Sequence, residues 1–143
     1  MFWDTSAIIP VLLPEARSAT LTERLAADRE VTLWWGTPVE CLSAIYRRHR
    51  DNPVPAAILT EALNRLRALV EDADTVSPTD EVRRRAGRLV AAHPLRAADA
   101  LQLGAALVWC EEQSHGDAFA CLDDRLREAA RREGFSLIPD DQS

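Results

Sequence analysis

The sequence predicts an α/β fold: a central, mostly parallel sheet of four or five short strands with helices on both faces. Three observations predict it. Short runs rich in β-branched and aromatic residues alternate with stretches of helical periodicity, the pattern left by strands joined through crossover helices. One helical stretch, residues 97 to about 110, is apolar almost all round, which marks it as central. No Gly/Ser linker, repeat or low-complexity stretch divides the 143 residues, so residues 1–143 read as a single domain.

Phe2-Trp3 opens a short buried strand, and Thr5-Ser6 is a favourable N-cap pair for a helix that Pro10 and Pro14 interrupt. The apolar run at 7–13 follows Asp4 with no positive charge before it, so it reads as mature structure and not as the core of a signal peptide. Residues 16–27 form an amphipathic helix with Ala19, Leu21, Leu25 and Ala26 on or near one face. Residues 31–35 are a second strand, and Thr37-Pro38-Val39-Glu40 starts a helix carrying Val39, Leu42, Ile45 and Tyr46 inward. Pro53 and Pro55 separate it from a helix at about 56–70, where Ile58, Leu59, Ala62, Leu66 and Leu69 recur at helical spacing. A weak strand at 73–76 precedes a helix at about 79–92. After His93-Pro94 comes the central helix, then a strand at 118–122, a helix at 124–132 and a last edge strand at 135–138. Trp3, Trp34 and Trp35 are expected to be buried against a sheet covered on both faces, not displayed for stacking.

Composition excludes several classes. No apolar run approaches the roughly 20 residues that span a bilayer. Three scattered cysteines, Cys41, Cys110 and Cys121, suit a reduced, cytoplasmic protein. His49, His93 and His115 show no zinc-site spacing and are expected at the surface. The net charge of −6 argues against broad attraction to nucleic acid. All 17 basic residues are arginine, however, and the clusters Arg47-Arg48-His49-Arg50 and Arg83-Arg84-Arg85 either contact phosphates or simply solvate helix faces.

Four acids stand out, each just past an apolar or Trp-rich run: Asp4, Glu40, Asp99 and Asp123. If the strands are parallel, these positions converge on the carboxyl edge of one sheet, where ligands of open α/β sheets bind. Each has an innocent reading alone. Asp4, and Asp123 or Asp124, suit helix caps; Thr37-x-x-Glu40 matches a capping box; Arg96 stands one turn from Asp99 and so suits an ion pair with it. Together they are harder to dismiss, because clustered carboxylates repel unless a cation or proton compensates. An oxygen-only set with no His or Cys suits Mg²⁺ or Mn²⁺, and hydrolysis at phosphorus is the chemistry that needs it.

The ordered blocks Asp4-Thr5-Ser6-Ala7, Pro38-Val39-Glu40-Cys41-Leu42-Ser43-Ala44-Ile45, Leu95-Arg96-Ala97-Ala98-Asp99-Ala100-Leu101-Gln102-Leu103-Gly104-Ala105-Ala106 and Leu122-Asp123-Asp124-Arg125-Leu126 resemble the PIN-domain nucleases, most of all the VapC-type toxins of toxin-antitoxin pairs. The resemblance covers essentially the whole chain and implies a PIN-like three-layer sandwich. It further implies a Mg²⁺-dependent endoribonuclease, cytoplasmic and without membrane attachment, homodimeric, and held inactive by a cognate antitoxin protein. Asp4, Glu40, Asp99 and Asp123 match the four acids, with Asp4, Asp99 and Asp123 as metal ligands and Glu40 binding metal or orienting water. Thr5 or Ser6 matches the hydroxyl beside the first acid, and Arg96 the basic residue that touches phosphate. Residues 109–117 are longer and more acidic than the usual connection, which leaves the place of Asp117 open.

Other classes fit less. A receiver-like signalling domain needs a lysine, and the chain has none. A haloacid dehalogenase-like phosphotransferase needs Asp-x-Asp where Asp4-Thr5-Ser6 stands, and no G-x-G-x-x-G follows a strand to bind a dinucleotide. The runner-up is a catalytically silent PIN fold that binds RNA or protein.

Overall fold

A computed structural model describes residues 1–13, 18–112 and 116–140. Five strands, β1 (Phe2–Trp3), β2 (Thr32–Trp34), β3 (Asp74–Val76), β4 (Ala118–Ala120) and β5 (Ser136–Ile138), form one sheet in the order β3-β2-β1-β4-β5 with every pairing parallel. Among the described residues seven helices cover it: α1 (Thr5–Leu12), α2 (Ser18–Ala27), α3 (Thr37–Asp51), α4 (Ala56–Asp72), α5 (Asp80–Ala92), α6 (Ala97–Glu112) and α7 (Asp124–Arg132). No helix among the described residues is long and apolar enough to cross a membrane.

Strand alternation divides the core in two. Phe2, Trp34 and Phe119 point into a cluster filled by α5, α6 and α7, with Leu89, Leu103 and Leu126 fully buried. Trp3, Leu33 and Ala120 point the other way, against Ile8 of α1, Leu21 of α2, Ile45 of α3 and Leu66 of α4. Three short strands with apolar residues on both faces are what a sheet sandwiched between helix layers requires.

Several side chains depart from the expected pattern. Pro10 lies inside α1 and does not interrupt it; the helix continues to Leu12 because the buried Pro10 and Leu12 pack into the core, which offsets the single backbone bond a proline removes. Pro14 and the first residues of the predicted 16–27 helix lie outside the described residues, and Ala19 and Ala26 of α2 are exposed. In α3 the inward residues are Cys41 and Ile45, whereas Val39, Leu42 and Tyr46 are exposed. At 100° per residue the two sets are centred a little over 100° apart around the helix, so the apolar periodicity there is that of two adjoining stripes, of which one is covered. Ile58 is exposed on α4, and Trp35, expected buried, is 59% exposed because it follows the last paired residue of β2.

The histidines also differ from a surface placement. Half-buried His93, its side chain only 7% exposed, meets Glu133 at 2.8 Å, and half-buried His49 accepts the Val54 backbone N–H. His115 lies outside the described residues.

Helices α5 and α6 approach backbone to backbone at Gly104, where a Cβ would stand 3.1 Å from both the Ala86 nitrogen and the Val82 oxygen. Backbone atoms cannot step aside as a flexible side chain can. Gly104→Val is therefore expected to destabilise the fold by about 1–3 kcal/mol, read as a lower urea midpoint. A midpoint equal to wild type would contradict this close packing.

Candidate active site

Parallel pairing puts the carboxyl ends of β1, β2 and β4 at one edge, and the helix that follows each begins there. Asp4 leaves β1 and caps α1: its Oδ2 accepts from the Ser6 backbone N–H at 3.1 Å and the Ser6 hydroxyl at 2.5 Å. The Ser6 oxygen in turn accepts from Leu122 N–H at 2.8 Å and Asp123 N–H at 3.3 Å, tying the end of β1 to the turn after β4. Asp123 caps α7, its Oδ1 accepting from Leu126 N–H at 2.9 Å. Capping and gathering at the sheet edge are thus the same placement for both acids, since an anion at a helix N-terminus is favoured by the helix's free N–H groups.

Glu40 sits in the first turn of α3, but no capping box forms. Thr37 is the first helical residue behind Gly36, and its buried hydroxyl accepts from Gln102 Nε2 at 2.8 Å. The same amide nitrogen reaches Glu40 Oε2 at 3.2 Å and Thr5 Oγ1 at 3.1 Å, so fully buried Gln102 of α6 joins α1 and α3 across the sheet edge. Asp99 lies half-buried in the first turn of α6. Arg96 feels its charge, yet among the described residues the two form no ion pair.

A cavity of about 780 Å³ opens at this edge, lined among others by Thr5, Glu40, Arg47, Arg96, Asp99, Asp123 and Arg125. Asp4 is buried and does not itself line the cavity, although Glu40 senses its charge and it senses that of Asp99. Thr5, not Ser6, faces the opening, the Ser6 hydroxyl being engaged behind it. Asp124 lines a separate hollow with His93 and Arg132. Asp117 precedes β4, where its backbone oxygen and carboxyl receive Ser136 N–H and hydroxyl, and so belongs to the opposite edge.

The electrostatics are those of under-compensated acids. Burial pushes the Asp4 carboxyl up to about 6 against the pull of the Ser6 hydrogen bonds, with the charge of Asp99 adding to the rise. Burial, then the charge of Asp4, lifts Glu40 to about 7, while the Gln102 amide pulls the other way. Asp99 is raised by burial and by Asp123, against the guanidinium of Arg96 and that of Arg125. Burial and the neighbouring carboxylates also push the Cys121 thiol far up, leaving it a neutral neighbour of Asp4.

The donor set suits a hard divalent cation: carboxylate oxygens, no soft ligand, and charge in want of compensation. As the side chains stand, no group of three His, Cys, Asp or Glu among the described residues is placed to hold one ion. Asp123 is exposed and Asp99 half-exposed.

A model of the PIN domain matches residues 1–132. The chain belongs to the PIN domain family. Among solved structures this PIN domain is similar to VapC20 of Mycobacterium tuberculosis, described as a sarcin-ricin loop cleaving toxin, at 16% identity and a TM-score of 0.63 over 94% of this chain and 95% of that one. At such identity the likeness speaks for the fold. No curated protein sequence matches the chain.

Gln102, Thr37, Arg47 and Arg125 of this PIN domain were not singled out individually by sequence reasoning. Gln102 had a legible signal, standing one turn from Asp99 on a helix otherwise apolar from 97 to 110. The place of Arg47, two turns from Glu40 on α3, followed from helical spacing once Glu40 faced the cavity.

Both raised carboxyls bind protons more tightly in the folded chain than in the unfolded one. Their cost to stability is therefore absent below about pH 4, grows as pH rises through about 6 for Asp4 and 7 for Glu40, and is complete above that. In chelator-treated protein, Glu40→Gln is expected to raise stability at pH 8 by about 2 kcal/mol and to leave it unchanged at pH 4. Urea unfolding at the two pH values checks this, and an equal gain at both would refute it.

Proposed function

We propose that this PIN domain is a metal-dependent endoribonuclease of the VapC toxin type, held in check by a cognate antitoxin. The observation that carries the reading is the gathering of Glu40, Asp99 and Asp123 on one cavity beside buried Asp4, with the Asp4, Glu40 and Asp99 carboxyls raised by burial and by neighbouring negative charge. Asp4, Asp99 and Asp123 would hold Mg²⁺ or Mn²⁺, with Glu40 a further ligand or the group that orients the attacking water. Such an ion supplies positive charge for the phosphodiester and acidifies bound water.

The chain's own residues do the rest. Gln102 with Thr5 holds the Glu40 carboxyl toward the cavity, where it would orient the attacking water and take its proton. Ser6 and the α1 N-terminus fix Asp4, so the first acid costs no reorganisation when a ligand arrives. Arg96 lines the same cavity, where its guanidinium would meet a phosphate oxygen. Unpaired or looped RNA is the substrate class, because a cleft of this kind reaches backbone whose bases are unstacked.

A cationic side chain from an antitoxin would relieve the same repulsion as a metal ion, so antitoxin and metal compete in this scheme. A homodimer working in the cytoplasm completes the proposal. The alternative is a silent PIN fold that binds RNA or protein without cutting it. It draws support from the absence of a three-acid ion site among the described residues as the side chains stand.

Cleavage of a short single-stranded RNA by purified protein with Mg²⁺ or Mn²⁺ separates the two. Asp4→Asn and Asp99→Asn are each expected to lower the rate about a hundredfold or more with unchanged circular dichroism and thermal unfolding. Full activity in the folded Asp99→Asn protein would sink the scheme, and no cutting by wild type with either metal would favour the silent module.

A further inference from the structure

The acid cavity also carries three arginines, contributed from the two helix layers. Arg47 comes from α3, which packs on the Trp3 face of the sheet; Arg96 and Arg125 come from the starts of α6 and α7, which pack on the Phe2 face. Arginine in this chain is commonly spent on ion pairs. Arg65 meets Glu61, Arg83 meets Asp80, Arg85 meets Glu111, Arg88 meets Glu133 and Arg132 meets Glu128. The three at the cavity are exposed and, among the described residues, make no ion pair, although Glu40, Asp99 and Asp123 line the same opening.

A guanidinium serving as counterion to a carboxylate closes to a bidentate contact where it can, since the pair gains both charge and geometry. These three stay off the acids although they share the opening with them. Their free donors suit an incoming anion. The chain carries a net charge of −6, so a polyanion finds no general attraction and must be gripped locally. Arg47 stands seven residues beyond Glu40 on one helix, about 10 Å along its axis, a spacing that suits it to a phosphate next to the one at the acids.

We propose that Arg47 on one side of the acid cavity, and Arg125 beside Arg96 on the other, are two phosphate subsites that hold a single RNA strand on both flanks of the bond to be cut. This deepens the ribonuclease reading and rests on it for the identity of the polyanion. The sites would fix where along the strand the acids act, through backbone phosphates and without reading bases.

Binding of a fluorescein-labelled single-stranded RNA, followed by anisotropy in EDTA from about 50 to 200 mM salt, tests the grip apart from any cutting. Each phosphate contact contributes about 0.7 to the slope of log K against log salt. Arg47→Gln and Arg125→Gln are each expected to flatten the slope by that amount and weaken binding, whereas Arg83→Gln, remote and ion-paired, is expected to match wild type. Slopes and affinities equal to wild type in both cavity variants, or no binding by wild type, would overturn the proposal. Slopes as expected with no cleavage in Mg²⁺ or Mn²⁺ would leave the grip standing and remove the nuclease reading alone.

Discussion

Carboxylates buried together at one sheet edge, where Asp4 and Glu40 also feel neighbouring negative charge, are the constraint on which the site depends. Parallel strands send their carboxyl ends to one edge, each is followed by a helix, and an acid at each junction stands where the helix N-terminus welcomes negative charge. The favour is local, while the repulsion is shared: burial and mutual charge raise Asp4 and Glu40 well above the ordinary carboxylate range. A fold selected for stability alone would have capped α1 with serine or asparagine, which bond the free helix N–H groups without burying a charge. Keeping ionisable groups there costs stability at neutral pH, and a compensating ligand recovers it.

What holds the edge together is a small polar network that crosses between layers. Ser6 links the end of β1 to the turn after β4, and Gln102 reaches from the central helix to Thr5, Thr37 and Glu40. Gln102 has two amide hydrogens for three acceptors, and its own oxygen is buried without a partner. A buried polar network left partly unsatisfied is tolerated where a site requires it, and here it sits directly behind the acids. The apolar packing on both faces of the sheet supplies the rigid frame on which such a network can be held.

Much of the fold was legible in local pattern. The strands Thr32–Trp34, Asp74–Val76 and Ala118–Ala120 fall within their predicted runs, the helix Asp124–Arg132 matches its predicted bounds, and β5 is an edge strand as expected. Side-chain facing was less legible. The spacing of Val39, Leu42 and Tyr46 satisfies a helical stripe as well as Cys41 and Ile45 do, and only packing against α1 and α4 selects the second. His93 reads as a surface residue until Glu133, distant in sequence, is folded against it. Trp35 reads as the end of a strand and is exposed because pairing stops at Trp34.

By itself the sequence determined the alternation of strands and helices and the residue type at each junction, because both are written in short-range periodicity and in which side chains can cap a helix. It also carried the four acids in an order that matches a family of nucleases. Only the tertiary structure decided that Ser6 is engaged while Thr5 faces the opening, that Asp123 and not Asp124 lines the cavity, and that Asp117 belongs to the far edge. Gln102 bonding to Glu40 and Arg47 sharing a cavity with Arg125 were likewise settled there. Those facts depend on strand order and on which helix covers which face, and such long-range choices leave no mark on the spacing of neighbouring residues.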